Sequence, residues 1–360
     1  MIEVWIVPPL ILLAAFVLSA LLAAGFTQLA IRGGPVDIPR DRGAHKAPTP
    51  TSGGLAVMAA AGLSLGLVVW LCIPGKSDSV HSGALLFAFA SLAGLSGAID
   101  DVMDLPAKGR LLFQVLLCLG FAWLFPAREL VFGPGLSLAL PLPVGIIGSA
   151  LWLVVGMNAI NFMDGANGLA IGTQIVCLLI FAAFIVVLGP QTYSGLLMSG
   201  VLLVCLTAAG AFSGLLPFNL PLNKVFQGDA GSLFGGALVT GSVLVLNTHE
   251  IASVWLGGFL LAPFLVDVIL TLIWRSQRKK DLFTAHKDHL YQQWLIHRDP
   301  SHFRLALRVW ALCALSSAIG VGARVLDEVF STDLRFAALC LVIALYTAGW
   351  FWVRRRLVKA

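Results

Sequence analysis

Stretches of about 20 apolar residues recur along this 360-residue chain, and they constrain its fold more than any other feature. One such stretch, coiled as an α-helix, crosses a hydrocarbon core of roughly 30 Å. We place eleven of them, at about 5–30, 54–74, 83–100, 110–126, 143–160, 168–188, 193–213, 232–247, 252–274, 304–322 and 335–353. Because a backbone in lipid must satisfy its own hydrogen bonds, the chain predicts an all-α polytopic integral membrane protein with ten or eleven transmembrane helices.

The composition agrees with a membrane protein. Hydrophobic residues make up 59% of the chain and charged residues 11%, whereas soluble domains have roughly half and a quarter. The six cysteines lie inside apolar segments without a CxxC pair, which predicts neither a disulfide framework nor a zinc site. The sequence shows no repeat and no soluble segment. We therefore predict a single membrane domain with polar loops at about 31–53, 100–110, 158–168, 214–231 and 275–303.

The distribution of basic residues predicts the orientation. Loops on the cytoplasmic side carry an excess of Lys and Arg. If the loops alternate across the membrane, 19 of the 23 basic residues fall on one side, and the exceptions are Lys76, Arg128, Arg324 and Arg335. This places the N-terminus in the periplasm and the C-terminus in the cytoplasm of a bacterial inner membrane. The net charge of +5 is then a topology and lipid-headgroup signal, and it predicts no nucleic-acid partner.

Four carboxylate positions lie at the ends of apolar segments on the predicted cytoplasmic face. They are the pair Asp100 and Asp101 in GAIDDVMDLP, Asp164 in NAINFMDGANGLA, and Asp229 in NKVFQGDAGSLFGG. An ionised carboxylate near lipid is costly unless it is paired, hydrogen-bonded or bound to a metal. Their convergence suggests a bound cation and a phosphorylated substrate, and Lys108 and Arg110 are close enough in sequence to neutralise the pair. A solvated helix cap is the simpler alternative for the pair Asp100 and Asp101, and helix capping is the alternative for Asp229.

The third loop carries amide and carboxylate groups at a spacing of three residues. Asn158, Asn161, Asp164 and Asn167 together suit a nucleobase edge or the completion of a metal shell. Polar contacts that hold neighbouring helices together remain an alternative. Asn219, in the fourth loop, adds another amide to the predicted face.

Two further loops offer groups that could bind phosphate. Lys46 stands in a Gly- and Pro-rich loop that suits an anion clamp, although an ordinary positive-inside loop has the same composition. His286 and His289 are three residues apart and could bind pyrophosphate, or lie on a solvated basic helix. No third ligand for zinc is evident beside them. Asp267 lies inside the ninth apolar stretch, either as a functional acid or as a structural partner of a neighbouring polar group.

The order and content of these loops resemble a known family. The segments HKAPTPTSGG, DDVMDLP, NFMDGANGLA, NKVFQGDAGS and AHKDHLYQ, in this order, resemble those of the polyprenyl-phosphate N-acetylhexosamine-1-phosphate transferases. That family includes enzymes that start O-antigen, common-antigen and teichoic acid synthesis, and a translocase of peptidoglycan synthesis. The resemblance implies one transferase domain with five cytoplasmic loops. It also implies transfer of sugar-1-phosphate from a UDP-N-acetylhexosamine to undecaprenyl phosphate, release of UMP, and a need for Mg²⁺, for which Mn²⁺ can substitute.

The resemblance also implies roles for individual residues. Asp229 and Asn161 would coordinate the metal, and Asp100 and Asp101 would align or deprotonate the lipid phosphate. The remaining residues would bind the donor, and they are Lys46, Asn158, Asp164, Asn167, Asn219, His286 and His289. The lipid bilayer is the expected environment and a homodimer is an open expectation.

Several alternatives stay open at this point. The spacing His-x-x-His replaces the denser histidine cluster of the peptidoglycan translocase, which favours an O-antigen-type donor. The lipid phosphate could attack the donor directly, or the reaction could pass through a phospho-aspartate. The alternative from another class is a secondary transporter that uses intramembrane carboxylates, which would place acids near the bilayer midplane and show inverted repeats.

Overall fold

The structure is a computed structural model that describes residues 8–33, 36–37, 49–72, 77–103, 105–188, 198–282, 284 and 286–358. Within these ranges, eleven helices are long and apolar enough to cross a membrane. The predicted fold class is therefore confirmed, and the protein is a multi-span membrane protein. Lys46 lies outside the described residues, so its role as a phosphate clamp stays a prediction.

Helices account for nearly all of the described chain. In chain order they are α1 (Pro9–Gly33), α2 (Gly53–Cys72), α3 (Ser77–Met103), α4 (Ala107–Leu124), α5 (Leu142–Phe162), α6 (Leu169–Leu188), α7 (Ser199–Asn219), α8 (Gly228–Thr248), α9 (Trp255–Gln277), α10 (Leu290–His297), α11 (His302–Phe330) and α12 (Arg335–Val358). Two short antiparallel pairs accompany them, β1 (Val36–Asp37) with β2 (Thr49–Pro50), and β3 (Glu129–Gly133) with β4 (Leu136–Ala139). The β3–β4 hairpin lies between α4 and α5, at the opposite ends of the helices from the loop that joins α3 to α4.

Helix α8 lies at the centre of the bundle. In its most apolar 18-residue stretch, 94% of the residues are buried, whereas the corresponding shares in α1 and α12 are 22% and 11%. Helices α2, α3, α5 and α6 pack around it, and α9, α11 and α12 form a neighbouring group. The peripheral helices leave apolar faces for lipid, while α8 can carry polar groups that the surrounding protein satisfies.

Glycines allow this close packing at the start of α8. A Cβ on Gly97 of α3 would lie 2.3 Å from the carbonyl oxygen of Asp229, and one on Gly54 of α2 would lie 2.1 Å from the backbone nitrogen of Gly231. The same region is held by backbone hydrogen bonds, because the N–H of Gly54 donates to the carbonyl of Gln227 at 2.9 Å. Small residues of this kind let membrane helices approach to backbone contact.

Some helix ends differ from the sequence prediction. We expected α7 to end near residue 213, but it continues through Pro217 to Asn219. Proline removes only its own N–H, and the buried side chain of Asn219 fixes the last turn by accepting from the N–H of Gly168 and donating to the carbonyl of Val225. Helix α8 begins at Gly228 and α5 ends at Phe162, so the polar loops are shorter than predicted.

Candidate active site

The first turn of α8 is held by a carboxylate from another helix. Asp101, at the end of α3, accepts hydrogen bonds from the backbone N–H of Asp229 at 3.1 Å and of Ala230 at 3.3 Å. The first N–H groups of a helix have no partner within the helix, and the helix dipole favours a negative charge there. Asp101 therefore caps α8 and lies directly beside the backbone of Asp229.

The Asp229 side chain lies between an amide and a guanidinium. Its Oδ1 accepts from Asn161 Nδ2 at 2.8 Å, and its Oδ2 lies 3.5 Å from Arg110 Nη1. Asn161 Nδ2 also donates to the hydroxyl of Ser232 at 2.9 Å. Arg110, one of the two basic residues expected to neutralise the aspartate pair, forms its closer ion pair with Asp100.

Asp164 faces the same cluster from the loop after α5. Its Oδ1 accepts from Gln227 Nε2 at 2.7 Å. Burial raises the pKa of Asp164 well above its usual range, and the nearby carboxylates of Asp229 and Asp101 raise it further, although the hydrogen bond from Gln227 opposes them. The loop after α5 and the N-terminus of α8 therefore meet at one point.

Carboxylates outnumber the cations that contact them at this cluster. Four carboxylates converge, and of the cations in the described chain Arg110 is the one seen in ion-pair contact with them. No three His, Cys, Asp or Glu side chains in the described ranges are grouped to hold a metal by themselves. Mg²⁺ does not need such a group, because one or two carboxylates, water and substrate phosphates complete its shell. Asp229 fits that use, since its carboxylate is one-third exposed and has acceptor sites beyond its two contacts.

The other predicted amides lie against three different elements. Asn158 donates to Gln114 of α4 at 2.7 Å. Asn167 donates through its backbone N–H to His302 Nδ1 at 3.0 Å and through its side chain to Asn223 at 2.5 Å. Asn219 is buried and joins the loops before α6 and α8. The predicted amide and carboxylate groups therefore do not all meet at one place, and of them Asn161 and Asp164 belong to the aspartate cluster.

The histidine loop, which joins α9 to α10 and carries His286 and His289, approaches the C-terminal end of α5. The rings of His286 and His289 lie 4.9 Å apart, and His289 stacks at 6.0 Å on Phe162, the last residue of α5. His289 is 3% exposed, and its Nδ1 has no hydrogen-bond partner in the described part of the chain. The Tyr291 hydroxyl donates to the carbonyl of Phe162 at 3.0 Å and accepts from the N–H of Gly165 at 3.1 Å, which ties the histidine loop to the Asp164 loop.

The pKa values of both histidines lie below the ordinary value for this residue type. Burial lowers the pKa of His286 from its ordinary value of 6.5 to about 4, and His289 and Arg275 lower it further. Burial also lowers the pKa of His289. Both rings can therefore donate or accept hydrogen bonds, and an anion that binds beside them would favour their protonated forms.

Fold and site together define a membrane-embedded protein with an electronegative site at one end of its helix bundle. The profile of the family Glycosyl transferase family 4 matches residues 83–247. The chain is 31% identical over 296 residues to the phospho-N-acetylmuramoyl-pentapeptide-transferase of Anoxybacillus flavithermus, an alignment that covers 77% of this chain and 84% of the relative. It is 28% identical over 327 residues to the decaprenyl-phosphate N-acetylglucosaminephosphotransferase of Mycobacterium tuberculosis, with 83% and 78% covered.

The chain therefore belongs to Glycosyl transferase family 4, in agreement with its resemblance to the polyprenyl-phosphate N-acetylhexosamine-1-phosphate transferases. The matched segment ends with α8, so it includes the four aspartates but not the histidine loop.

Sequence reasoning missed three polar residues of this site. Gln227 is 1% exposed and contacts Asp164, Ser232 contacts Asn161, and Tyr291 joins two loops. Gln227 and Ser232 lie in the segment NKVFQGDAGS, which also contains Asp229. Their closeness to Asp229 in the sequence could have identified them as site residues. Tyr291 stands inside the segment AHKDHLYQ, but its two partners lie about 130 residues earlier in the chain, so the sequence did not indicate which loops it joins.

Proposed function

We propose that this protein transfers N-acetylhexosamine-1-phosphate from a UDP-sugar to undecaprenyl phosphate, in a Mg²⁺-dependent reaction on the cytoplasmic face of a bacterial inner membrane. The observation that carries the proposal is the meeting of Asp100, Asp101, Asp164 and Asp229 around the start of α8, with Arg110 as their paired cation. A divalent cation would favour the ionised forms of these carboxylates and could join two anionic substrates. Membership in the family supports the same reaction class.

Asp229 is the residue best suited to hold the metal. Its carboxylate is accessible and is oriented by Asn161, which in turn is held by Ser232. Asn161 would offer its amide oxygen to the same cation, because its Nδ2 is engaged by Asp229 and Ser232. Mg²⁺, when bound, would reduce the repulsion between the two phosphate groups and stabilise charge on the departing UMP.

The reaction exchanges one phosphoanhydride bond for another. An oxygen of the lipid phosphate forms a bond to the β-phosphorus of the donor, and the bond from that phosphorus to the bridging oxygen breaks, so that UMP leaves with the electron pair. We favour direct attack over a phospho-aspartate. Both oxygens of Asp101 already accept backbone hydrogen bonds, and Asp100 is paired with Arg110, so neither carboxylate is free to act as a nucleophile.

The roles of the remaining groups follow from their positions. Arg110, half-exposed beside Asp100, can contact the lipid phosphate as it approaches Asp229. His286 and His289 lie beside the loop that carries Asp164, where they can bind the donor phosphates or sugar. Asn167, whose loop is fixed by His302, is available to the uridine. The His-x-x-His spacing supports an O-antigen-type pathway with a modified N-acetylhexosamine.

The test is release of UMP by purified protein in detergent or nanodiscs with Mg²⁺. UMP release should require both undecaprenyl phosphate and a UDP-N-acetylhexosamine. The Asp229→Ala variant should lower kcat by at least about 10³-fold, because it removes the electrostatic centre of the site. The matched control is Glu129→Ala on the β3–β4 hairpin, which should keep full activity. Full lipid-linked product from Asp229→Ala would overturn the proposal.

A donor panel separates the finer assignments. UDP-GlcNAc, UDP-GalNAc, a 6-deoxy UDP-HexNAc and UDP-MurNAc-pentapeptide should be compared at one concentration of lipid phosphate. We expect the highest kcat/KM with a UDP-HexNAc that lacks the peptide. Preference for the pentapeptide donor would contradict the inference drawn from the histidine spacing while leaving the reaction class intact.

A further inference from the structure

Asp267 of α9 is a carboxylate that has no role in the reaction described above. Its side chain is 5% exposed. Its Oδ1 accepts from the backbone N–H of Leu290 at 2.8 Å and from Trp350 Nε1 at 3.1 Å, and its Oδ2 accepts from the backbone N–H of Tyr291 at 3.2 Å. Thr271, one turn further along α9, donates its hydroxyl at 3.1 Å. A buried carboxylate is tolerated only with such partners, and these come from three separate helices.

These contacts fix the start of α10. Leu290 and Tyr291 are the first two residues of that helix, and the residue before them, His289, provides no side-chain cap. The first N–H groups of a helix need an acceptor, and Asp267 supplies one from α9. The backbone that directly follows His289 is therefore held by a carboxylate on a different helix.

The loop between α9 and α10 is held from two further sides. Arg275 of α9 is buried and forms an ion pair with Asp288, the residue before His289. Arg354 of α12 donates to the backbone carbonyl of Asp288 at 2.8 Å. Because Trp350 and Arg354 are four residues apart, one face of α12 contacts both Asp267 and the histidine loop.

The contacts of Asp267 with α10 and α12, here called the Asp267 anchor, are connected to the aspartate cluster through Tyr291. Its backbone is held by Asp267, and its hydroxyl joins Phe162 and Gly165 on either side of the Asp164 loop. A shift of α10 would thus move the histidines and the Asp164 loop together.

We propose that Asp267 and Trp350 are positioning residues for the donor, acting through His289 and Tyr291, so that the last helix α12 is part of the catalytic apparatus. This inference rests on the proposed function, because it needs the histidine loop to bind the UDP-sugar. It predicts an effect on the donor and none on the acceptor, whose proposed contacts, Arg110 and Asp100, lie outside the anchor.

Trp350→Phe is the mildest test, since it removes the Nε1 donor and keeps an aromatic ring. Trp352→Phe is the matched control, because Trp352 lies on the same helix and is exposed. In the full-length protein we expect Trp350→Phe to raise the KM for UDP-HexNAc by about fivefold to tenfold, the effect of one hydrogen bond, and to leave the KM for undecaprenyl phosphate unchanged. The control should match the wild type in both constants.

Asp267→Asn is the stronger test, because an amide has one acceptor oxygen and cannot serve both backbone N–H groups. We expect kcat/KM for the donor to fall by about 10²-fold, and hydrogen exchange at Leu290 and Tyr291 to accelerate. If Asp267→Asn does not fold, the KM values of Trp350→Phe decide the matter.

An unchanged donor KM in Trp350→Phe, or equal changes in both KM values, would overturn the positioning role while the wild-type enzyme remains active. Absence of UMP release from the wild type would instead remove the proposed function and this inference with it.

Discussion

In two helices of this protein, the first backbone N–H groups donate to a carboxylate on another helix, and the two carboxylates have different surroundings. Asp101 of α3 accepts the first N–H groups of α8, and Asp267 of α9 accepts those of α10. Asp101 is exposed and stands among other acids, whereas Asp267 is buried and is reached by donors from α10 and α12. The same capping geometry thus supports an open, charged site in one place and a closed anchor in the other.

The difference lies in what surrounds each carboxylate. Around Asp101 the negative charges of Asp100 and Asp229 are only partly neutralised by Arg110, so the region attracts a cation. Around Asp267 the hydrogen bonds are complete and no substrate is needed to satisfy the charge. An acid in a membrane protein therefore indicates function most strongly where its neighbours leave it under-neutralised.

The strongest test of this difference is to replace each capping carboxylate, that of Asp101 and that of Asp267, by a neutral amide. We expect Asp101→Asn to lower kcat by about 10²-fold to 10³-fold, because it removes charge from the reacting centre. Its thermal unfolding temperature should fall by only about 2 °C, because the cap on α8 loses one of its two acceptor oxygens but the side chain is exposed. Asp267→Asn should lower that temperature by several degrees more. Activity assays and thermal unfolding in the same detergent test both statements, and equal unfolding temperatures would remove the distinction.

Arg110→Met should have the next largest effect, a loss of about 10²-fold in kcat/KM, because it removes the cation paired with Asp100 and Asp229. The loss of a positive charge should at the same time tighten binding of Mg²⁺, since the remaining carboxylates are less neutralised. Titration of activity with Mg²⁺ measures both effects. Arg128→Met on the segment before the hairpin is the charge-matched control. Weaker Mg²⁺ binding in Arg110→Met would contradict the electrostatic account of the site.

Tyr291→Phe tests the connection between the two regions. It removes the hydroxyl that joins Phe162 and Gly165, and we expect the donor KM to rise by about tenfold. Tyr346→Phe is the matched control, because its hydroxyl donates to a backbone carbonyl of α11 at 2.8 Å, outside both regions. A donor KM that is the same in both variants would show that the loops hold their positions without this link.

The smallest expected effect concerns pH. The pKa of His286 is about 4, below the ordinary 6.5, so this group contributes full stability above about pH 6.5 and loses it as the pH falls toward 4. Between pH 8 and 6.5 we expect its protonation to change kcat/KM for the donor by less than about twofold. A pH profile of the wild type and of His286→Gln checks this. An inflection near pH 6.5 that disappears in His286→Gln would contradict the low pKa.

Much of the fold could be predicted from the sequence because lipid imposes a length and a composition on each helix. The number of spans and the convergence of the four aspartates followed from this and from the distribution of basic residues. Helix ends were harder to predict. The apolar stretch predicted an end to α7 near residue 213, but the helix continues through Pro217, and the buried contacts of Asn219 fix its last turn.

The finer structure of the site depends on contacts between distant residues. Asp267 could be recognised as unusual from its position in an apolar stretch, but its partners on α10 and α12 could not. Asn158 shares the spacing of Asn161 and yet turns toward α4, because a helix places residues three apart on one face only approximately and its neighbours decide the rest.

The glycines at the start of α8 carry a consequence for sequence variation. Gly54 and Gly97 have no functional group, yet even a methyl group at either position would collide with the backbone of the segment that bears Asp229. Neighbouring side chains cannot rotate away from such a collision, because the obstructing atoms are main-chain atoms. In a saturation mutagenesis experiment, these two chemically inert positions should be as intolerant of alanine as the aspartates are of asparagine. The reactive centre thus depends on residues whose contribution is the space that they leave empty.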